Sequence, residues 1–209
     1  MMQEKKRGKF IVLEGIDGCG KSTQIELLAE RLRAMGREVA VTAEPTASES
    51  GKMLRTALSG AEARTAAEMA ALFVLDRIHH NVCEGGIEDL LANGVDVICD
   101  RYYYSSLAYQ GSETDFEWVR HMNLDCPEIR RPDLCVFLDL LPTESLRRIA
   151  ASRSSTEIYE KQELLEKFRA RFLSVFDLLK KTDRVAIIDA SPSIDEVSAA
   201  VLEAVSQIL

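Results

Sequence analysis

Residues 15–22 read Gly-Ile-Asp-Gly-Cys-Gly-Lys-Ser, and these eight positions constrain the fold more than any other feature of the 209-residue chain. Before them stands a short apolar run, Phe10-Ile-Val-Leu13, suited to a central parallel strand. After them Ile25, Leu28, Ala29 and Leu32 recur at helical spacing until Gly36 stops the helix. In this order Gly15, Gly18 and Gly20 let the backbone curl, so that successive N–H groups converge at the positive end of the helix. A polyphosphate fits such a site, with Lys21 reaching its outer phosphates and the Ser22 hydroxyl ligating the Mg²⁺ that accompanies them. A chance match in a Gly- and Ser-rich loop would lack the flanking strand and helix.

Composition bounds the remaining possibilities. A hydrophobic content of 46% is enough to bury a full core, so residues 1–209 are expected to form a single domain. A net charge of −8 argues against a nucleic-acid partner and concentrates the useful cations wherever phosphate binds. The five cysteines, Cys19, Cys83, Cys99, Cys126 and Cys135, form no C-x-x-C pair and read as reduced thiols. No stretch is apolar for long enough to suggest a leader or a membrane span, and the expectation is a cytoplasmic protein. Lys5-Lys6-Arg7 reads as a solvated tail.

Four further short apolar runs follow, at 38–43, 95–99, 134–138 and 185–188, each separated from the next by helical patterning. Five strands alternating with helices predict an α/β fold, a parallel sheet covered on both faces. The second run ends in Glu44-Pro45-Thr46, placing a carboxylate where open α/β sheets bind ligands; from position alone, Glu44 serves either a ligand or solvent. On the helix expected from 65 to 83, Phe73, Arg77 and His80 fall at i, i+4 and i+7. That face suits either the core or a base that stacks while its phosphate is held. His79 and His80 have no third ligand at metal spacing and are expected on the surface.

The third run leads into Asp100-Arg101-Tyr102-Tyr103-Tyr104-Ser105-Ser106-Leu107-Ala108-Tyr109-Gln110-Gly111. Asp100 and Arg101 could serve metal-bound water and phosphate, or simply pair with each other. The successive tyrosines suggest a pocket for a flat polar ligand. Pro142-Thr143-Glu144 opens a helix bearing Arg147 and Arg148, after which the apolar pattern lapses from 150 to 159 around Arg153. This segment is either a lid or a solvated connector. A long helix with Leu164, Leu165, Phe168, Phe172, Val175, Phe176 and Leu179 on one side follows, and Ser193-Ile-Asp-Glu196 is a capping box for the last helix.

Taken in order, the phosphate loop from Glu14 to Gln24, the Glu44-Pro-Thr turn, Phe73-x-x-x-Arg77, the Asp100 to Gly111 block and Ile188-Asp-Ala-Ser191 resemble thymidylate kinases across almost the whole chain. The resemblance implies the P-loop NTPase nucleotide-kinase fold, with five parallel strands and a short lid at about 148–160. It also implies ATP- and Mg²⁺-dependent phosphorylation of dTMP by a homodimer, with no nucleic-acid or membrane partner. Gly15, Ile16, Asp17, Gly18, Cys19, Gly20, Lys21, Ser22 and Thr23 would hold ATP, with Arg148 against the adenine. Glu44, Phe73, Arg77, Arg101, Ser106, Tyr109 and Gln110 would hold the acceptor: Phe73 stacks on thymine, Arg77 and Arg101 grip the phosphate, and Tyr109 closes against the sugar's 2′ position. Lys21, Asp17, Arg101 and Arg153 would carry catalysis, and Ser22, Asp17 and Asp100 would serve the metal.

Gly18 stands where one branch of the family has a basic residue, so the resemblance moves the catalytic cation to the lid, where Arg153 matches best. Ala43 stands where bacterial members commonly have arginine before Glu-Pro, Ile158 stands where a second lid arginine is common, and the Glu44-Pro45-Thr46 form with its short loop is closer to archaeal members. A monophosphate is mostly dianionic near neutrality and needs no general base, which agrees with the absence of histidine from the motif loops. Two alternatives share the first motif: a kinase of another (deoxy)nucleoside monophosphate or of a nucleoside, and a GTP-dependent switch. The second would need a guanine-reading motif, and the nearest stretch, Lys180-Lys-Thr-Asp183, lacks its first residue.

Overall fold

The computed structural model describes residues 6–152 and 158–209, and only the backbone of 151, 152 and 158–161. Strands β1 (Phe10–Glu14), β2 (Val39–Ala43), β3 (Asp96–Asp100), β4 (Leu134–Asp139) and β5 (Val185–Asp189) form one wholly parallel sheet in the order β2-β3-β1-β4-β5. Each strand lies within a residue or so of its apolar run in the sequence. Side chains alternate between the two faces. Phe10, Val12, Val97, Cys99, Cys135 and Phe137 pack on one side, against α3 (Ala66–Val82), α5 (Tyr103–Ala108) and α8 (Ile158–Leu179). Ile11, Leu13, Ile98, Val136 and Leu138 pack on the other, against α1 (Lys21–Ala34) and α9 (Ile194–Ser206).

Local chemistry sets the element ends. Gly36, at φ 82°, terminates α1, and Arg37 N donates back to Leu32 O at 3.1 Å. Thr65 with Glu68, and Ser193 with Glu196, form capping boxes on α3 and α9. Helix α2 (Glu49–Leu58) is capped by Ser48, and Gly51 sits so close to the preceding turn that a Cβ there would lie 1.9 Å from Thr46 O. The remaining helices are α4 (Ile87–Ala92), α6 (Phe116–Leu124) and α7 (Pro142–Ser152), with a single 3-10 turn at Gln110–Ser112.

Three expectations change. Tyr103 and Tyr104 line no ligand pocket: both are fully buried, and their hydroxyls donate to Asp183, at 2.5 and 2.8 Å. The first turn of α5 swings them toward Phe176 and away from the strand ends, and Asp183, also paired with Arg131, satisfies their polar tips. Asp183 is therefore spent on the core, where a guanine reader would need it free. His80 is buried, not on the surface, whereas His79 is exposed. Lys6 and Arg7 are solvent-exposed as expected but tethered, not a free tail: Lys6 donates to Leu209 O and Arg7 pairs with Glu88.

Candidate active site

β1 delivers the phosphate loop. Gly15, at φ 151°, leaves no room for a side chain, since a Cβ would lie 2.6 Å from Cys19 Sγ and 2.9 Å from Leu138 O. Gly18, at φ 77°, is closed in the same way by α7: its Cβ would meet Ile149 at 2.8 Å and Ser145 O at 2.9 Å. The Ser145 hydroxyl also donates to Asp17 O, fastening α7 to the loop. A basic residue at 18 is therefore excluded by packing. Lys21, placed at the loop's end, is buried, and its ammonium donates to Gly15 O at 2.9 Å and Ile16 O at 3.3 Å. Ile16 and Cys19 turn their side chains into the core, so only their backbone can face a phosphate. Ser22 and Thr23 are exposed at the head of α1.

β3 delivers Asp100 and Arg101. Arg101 adopts φ 65°, a left-handed conformation uncommon outside glycine, held by its N–H on Leu13 O at 3.0 Å. Its guanidinium donates to Gly15 O (3.4 Å), Ser105 Oγ (3.2 Å) and Tyr109 Oη (3.3 Å), and pairs with Asp17. Burial disfavours the Arg101 charge, but Tyr109, Asp17 and Glu14 outweigh it and raise its pKa above the ordinary arginine value. Burial pushes the Tyr109 hydroxyl up to about 12 against the pull of Arg101, so it stays protonated. Glu14, fully buried, accepts from Tyr102 N, Ser105 N and Ser105 Oγ at 2.8, 3.1 and 2.8 Å. Desolvation raises its pKa against the opposing pull of Arg101. Ser105 thus bridges Glu14 to Arg101.

Arg77 lies deepest. It is 1% exposed, and Glu44 Oε2 receives both its Nε–H at 2.8 Å and one Nη2–H at 2.6 Å. Its Nη1 donates to Ser106 Oγ at 3.2 Å and to Asn123 Oδ1, and its Cζ lies 5.1 Å from the centre of the Tyr102 ring. Among the described residues, four of the five guanidinium N–H groups are thereby taken and the charge is neutralised. Ser106 stands behind Arg77, and Ser105 takes its place on the cavity wall.

Two cavities open at the C-terminal ends of the strands, where open α/β sheets place ligands. The larger, about 620 Å³, is lined by Glu44, Phe73, Arg77, Tyr102, Tyr109 and Gln110 among others. The smaller, about 420 Å³, is lined by Gly18, Gly20, Lys21, Ser22, Thr23, Asp100 and Arg148. They meet: Asp17, Arg101 and Ile149 line both. Arg148 also donates to Ala190 O at 2.9 Å, while Arg147 is exposed and pairs with Glu144. Arg153, the lid cation expected from the sequence, and Ile158's side chain lie outside the described residues.

A magnesium ion takes oxygen ligands and keeps several waters, so it needs few protein donors. The Ser22 hydroxyl and the Asp100 carboxylate line the same cavity, and Asp100 Oδ1 is buried with no hydrogen-bond partner among the described residues. Among those residues no cluster of three or more His, Cys, Asp or Glu could hold a metal alone. The donor set fits an ion held mainly by phosphate oxygens and water, with Ser22 and Asp100 beside it; Asp17 lines the same cavity and gives one carboxylate oxygen, Oδ1, to Arg101.

Spacing along the chain could not find Glu14, Ser105 or Asp76 as parts of the site. Asp76, fully buried, accepts from Thr46 N (2.8 Å) and from the hydroxyls of Thr46 (2.6 Å), Ser48 (2.8 Å) and Ser50 (2.8 Å), tying the Glu44 turn to α3. His80 did carry a signal, its place on the Phe73-Arg77 face.

Comparison with known proteins bears on the same residues. The family model described as thymidylate kinase matches residues 13–201, from the end of β1 into α9. A probable thymidylate kinase of Pyrococcus horikoshii is 42% identical over 198 residues, covering 91% of this chain and 92% of its own. A probable thymidylate kinase of Thermococcus gammatolerans is 38% identical, covering 96% and 97%, and a thymidylate kinase of Desulfotalea psychrophila is 37% identical, covering 97% and 96%.

Proposed function

The chain belongs to the thymidylate kinase family, and on that premise we propose that it transfers the γ-phosphoryl group of ATP to dTMP, giving ADP and dTDP, as a step of nucleotide biosynthesis. The observation that carries this reading is the junction of two cavities at Asp17 and Arg101. One cavity is built for a polyphosphate by the glycine loop, Lys21 and the head of α1. The other has an aromatic wall, Phe73, Tyr102 and Tyr109, and suits a nucleoside whose phosphate points at the junction. Holding both at once is most of what phosphoryl transfer asks of a protein.

In this reading Lys21 leaves the Gly15 and Ile16 carbonyls for the phosphates of ATP, and Arg101 spans the point of transfer. Arg101 is the better phosphate holder of the two arginines, because Glu44 already neutralises Arg77. Arg77 then offers its remaining N–H to a neutral acceptor, a carbonyl of the base stacked on Phe73. The acceptor phosphate arrives largely deprotonated, so no side chain removes a proton. When bound, Mg²⁺ neutralises charge on the phosphate oxygens; Ser22 and Asp100 would hold it. We assign the lid cation to Arg153 and propose that Arg153→Ala lowers kcat and kcat/KM together, as loss of a transition-state contact requires.

The five cysteines are free, three of them buried, which suits the reducing cytoplasm. Leu75 and Val82 on α3, and Met53 on α2, are exposed apolar residues that a homodimer interface would cover. The test of the reading is ADP release with dTMP, dUMP, TMP, UMP and thymidine offered separately with Mg²⁺ and ATP. The highest kcat/KM is expected for dTMP, and a preference for thymidine would make the chain a nucleoside kinase instead.

A further inference from the structure

His80 lines neither cavity, yet it is buried and both ring nitrogens are engaged. Nδ1 lies 3.1 Å from Glu44 Oε1 and Nε2 lies 2.7 Å from Thr42 Oγ1. Glu44, paired with Arg77, has only acceptors to offer, so the hydrogen between Glu44 and His80 belongs to Nδ1. On the other side of the ring, Thr42 Oγ1 holds Nε2, so the imidazole is fixed in orientation from both nitrogens.

The consequence lies in how Arg77 is gripped. A carboxylate left to itself meets a guanidinium as a fork, two oxygens against two N–H groups. Here one oxygen, Oε2, takes both Nε–H and Nη2–H, because Oε1 is drawn off to His80. His80 thereby sets the angle at which Glu44 holds Arg77, and with it the direction of the one Arg77 N–H not spent on Glu44, Ser106 or Asn123. Removing the imidazole donor frees Oε1 to close the fork and rotates the guanidinium in its socket. We propose that His80 is a positioning residue for the acceptor site: by holding Glu44 Oε1, it aims the Arg77 N–H at the acceptor's base. This rests on the reading of the larger cavity as the dTMP site.

The experiment compares wild type, His80→Leu and His80→Asn, whose amide N–H stands near Nδ1. KM for dTMP and for ATP, kcat and Tm are measured for each. Loss of a hydrogen bond to a charged group corresponds to roughly tenfold or more in binding. His80→Leu is therefore expected to raise the dTMP KM by about tenfold, with the ATP KM and kcat within about twofold, and His80→Asn is expected to recover most of the loss. An unchanged dTMP KM in His80→Leu, failure of Asn to rescue, or equal losses in both KM values, kcat and Tm overturns the proposal. A wild type inactive on dTMP would instead defeat the underlying reading of the cavity. Should His80→Leu fail to fold, ¹⁵N spectra of the wild-type histidines decide: a hydrogen on His80 Nδ1 supports the proposal, and its absence overturns it.

Discussion

Arg101 is pinned by more partners than any other side chain at the junction, and its contact with Tyr109 can be removed singly. Tyr109 supplies a hydroxyl at 3.3 Å and a ring packed edge-on to Phe168 and Phe172, with centroids 4.3 and 5.6 Å away. Truncation to alanine would remove that packing and widen the larger cavity as well, confounding any kinetic reading. Tyr109→Phe keeps the packing and removes only the contact to Arg101. We expect kcat/KM for dTMP to fall by roughly 3- to 10-fold, about the worth of one hydrogen bond, with Tm nearly unchanged. Lys21→Ala is expected to abolish turnover in the steady-state assay and, because the buried ammonium closes the loop on two carbonyls, to cost about 1 kcal/mol of stability as well. The sequence alone exposed the residues whose meaning depends on near neighbours, such as the loop glycines and Lys21. It misjudged those whose partners are distant: His80 meets Glu44 36 positions away, and Tyr103 meets Asp183 80 positions away. No local pattern encodes such partners, so the sequence points the histidine to the surface and the tyrosines to a ligand pocket.

Helices α3 and α7 act on the site through its loops. Asp76 on α3 fastens the turn after β2. Burial opposes its charge, but hydrogen bonds from Thr46, Ser48 and Ser50 prevail and hold its carboxyl below the ordinary aspartate value of 3.8. A depressed folded-state pKa stabilises above the unfolded value, and the gain is lost as pH falls through the folded one. Asp76→Asn is therefore expected to cost about 1 to 3 kcal/mol near neutrality and to flatten the acid limb of the stability profile below about pH 4, as urea unfolding against pH would measure. Helix α7 closes on Gly18. Gly18→Arg, which would copy the other family branch, adds a left-handed non-glycine residue at about 1 to 2 kcal/mol before any clash with Ser145 and Ile149. It is expected to lower Tm without restoring activity to an Arg153→Ala protein. The strands and the well-capped helices were legible because their apolar periods and caps are local. The packing of α7 on the loop was not, since it joins Gly18 to Ser145.

The sheet order explains why the two cavities meet where they do. β1 is central, with β3 on one side and β4 on the other, so the chain's direction of winding reverses beside the phosphate loop. Glu14, Asp100 and Arg101 all leave the sheet at that point, and α3 and α8 wall the larger cavity beside it. The architecture thus suits direct transfer between two nucleotides held in adjoining cavities. The decisive measurement incubates the purified chain with Mg²⁺, dTMP and ATP labelled in its γ-phosphoryl group, and follows the label. The account predicts that the label appears in the terminal phosphate of dTDP in step with ADP formation. Label released as inorganic phosphate at the rate of ADP formation, or retained on the protein, would contradict it.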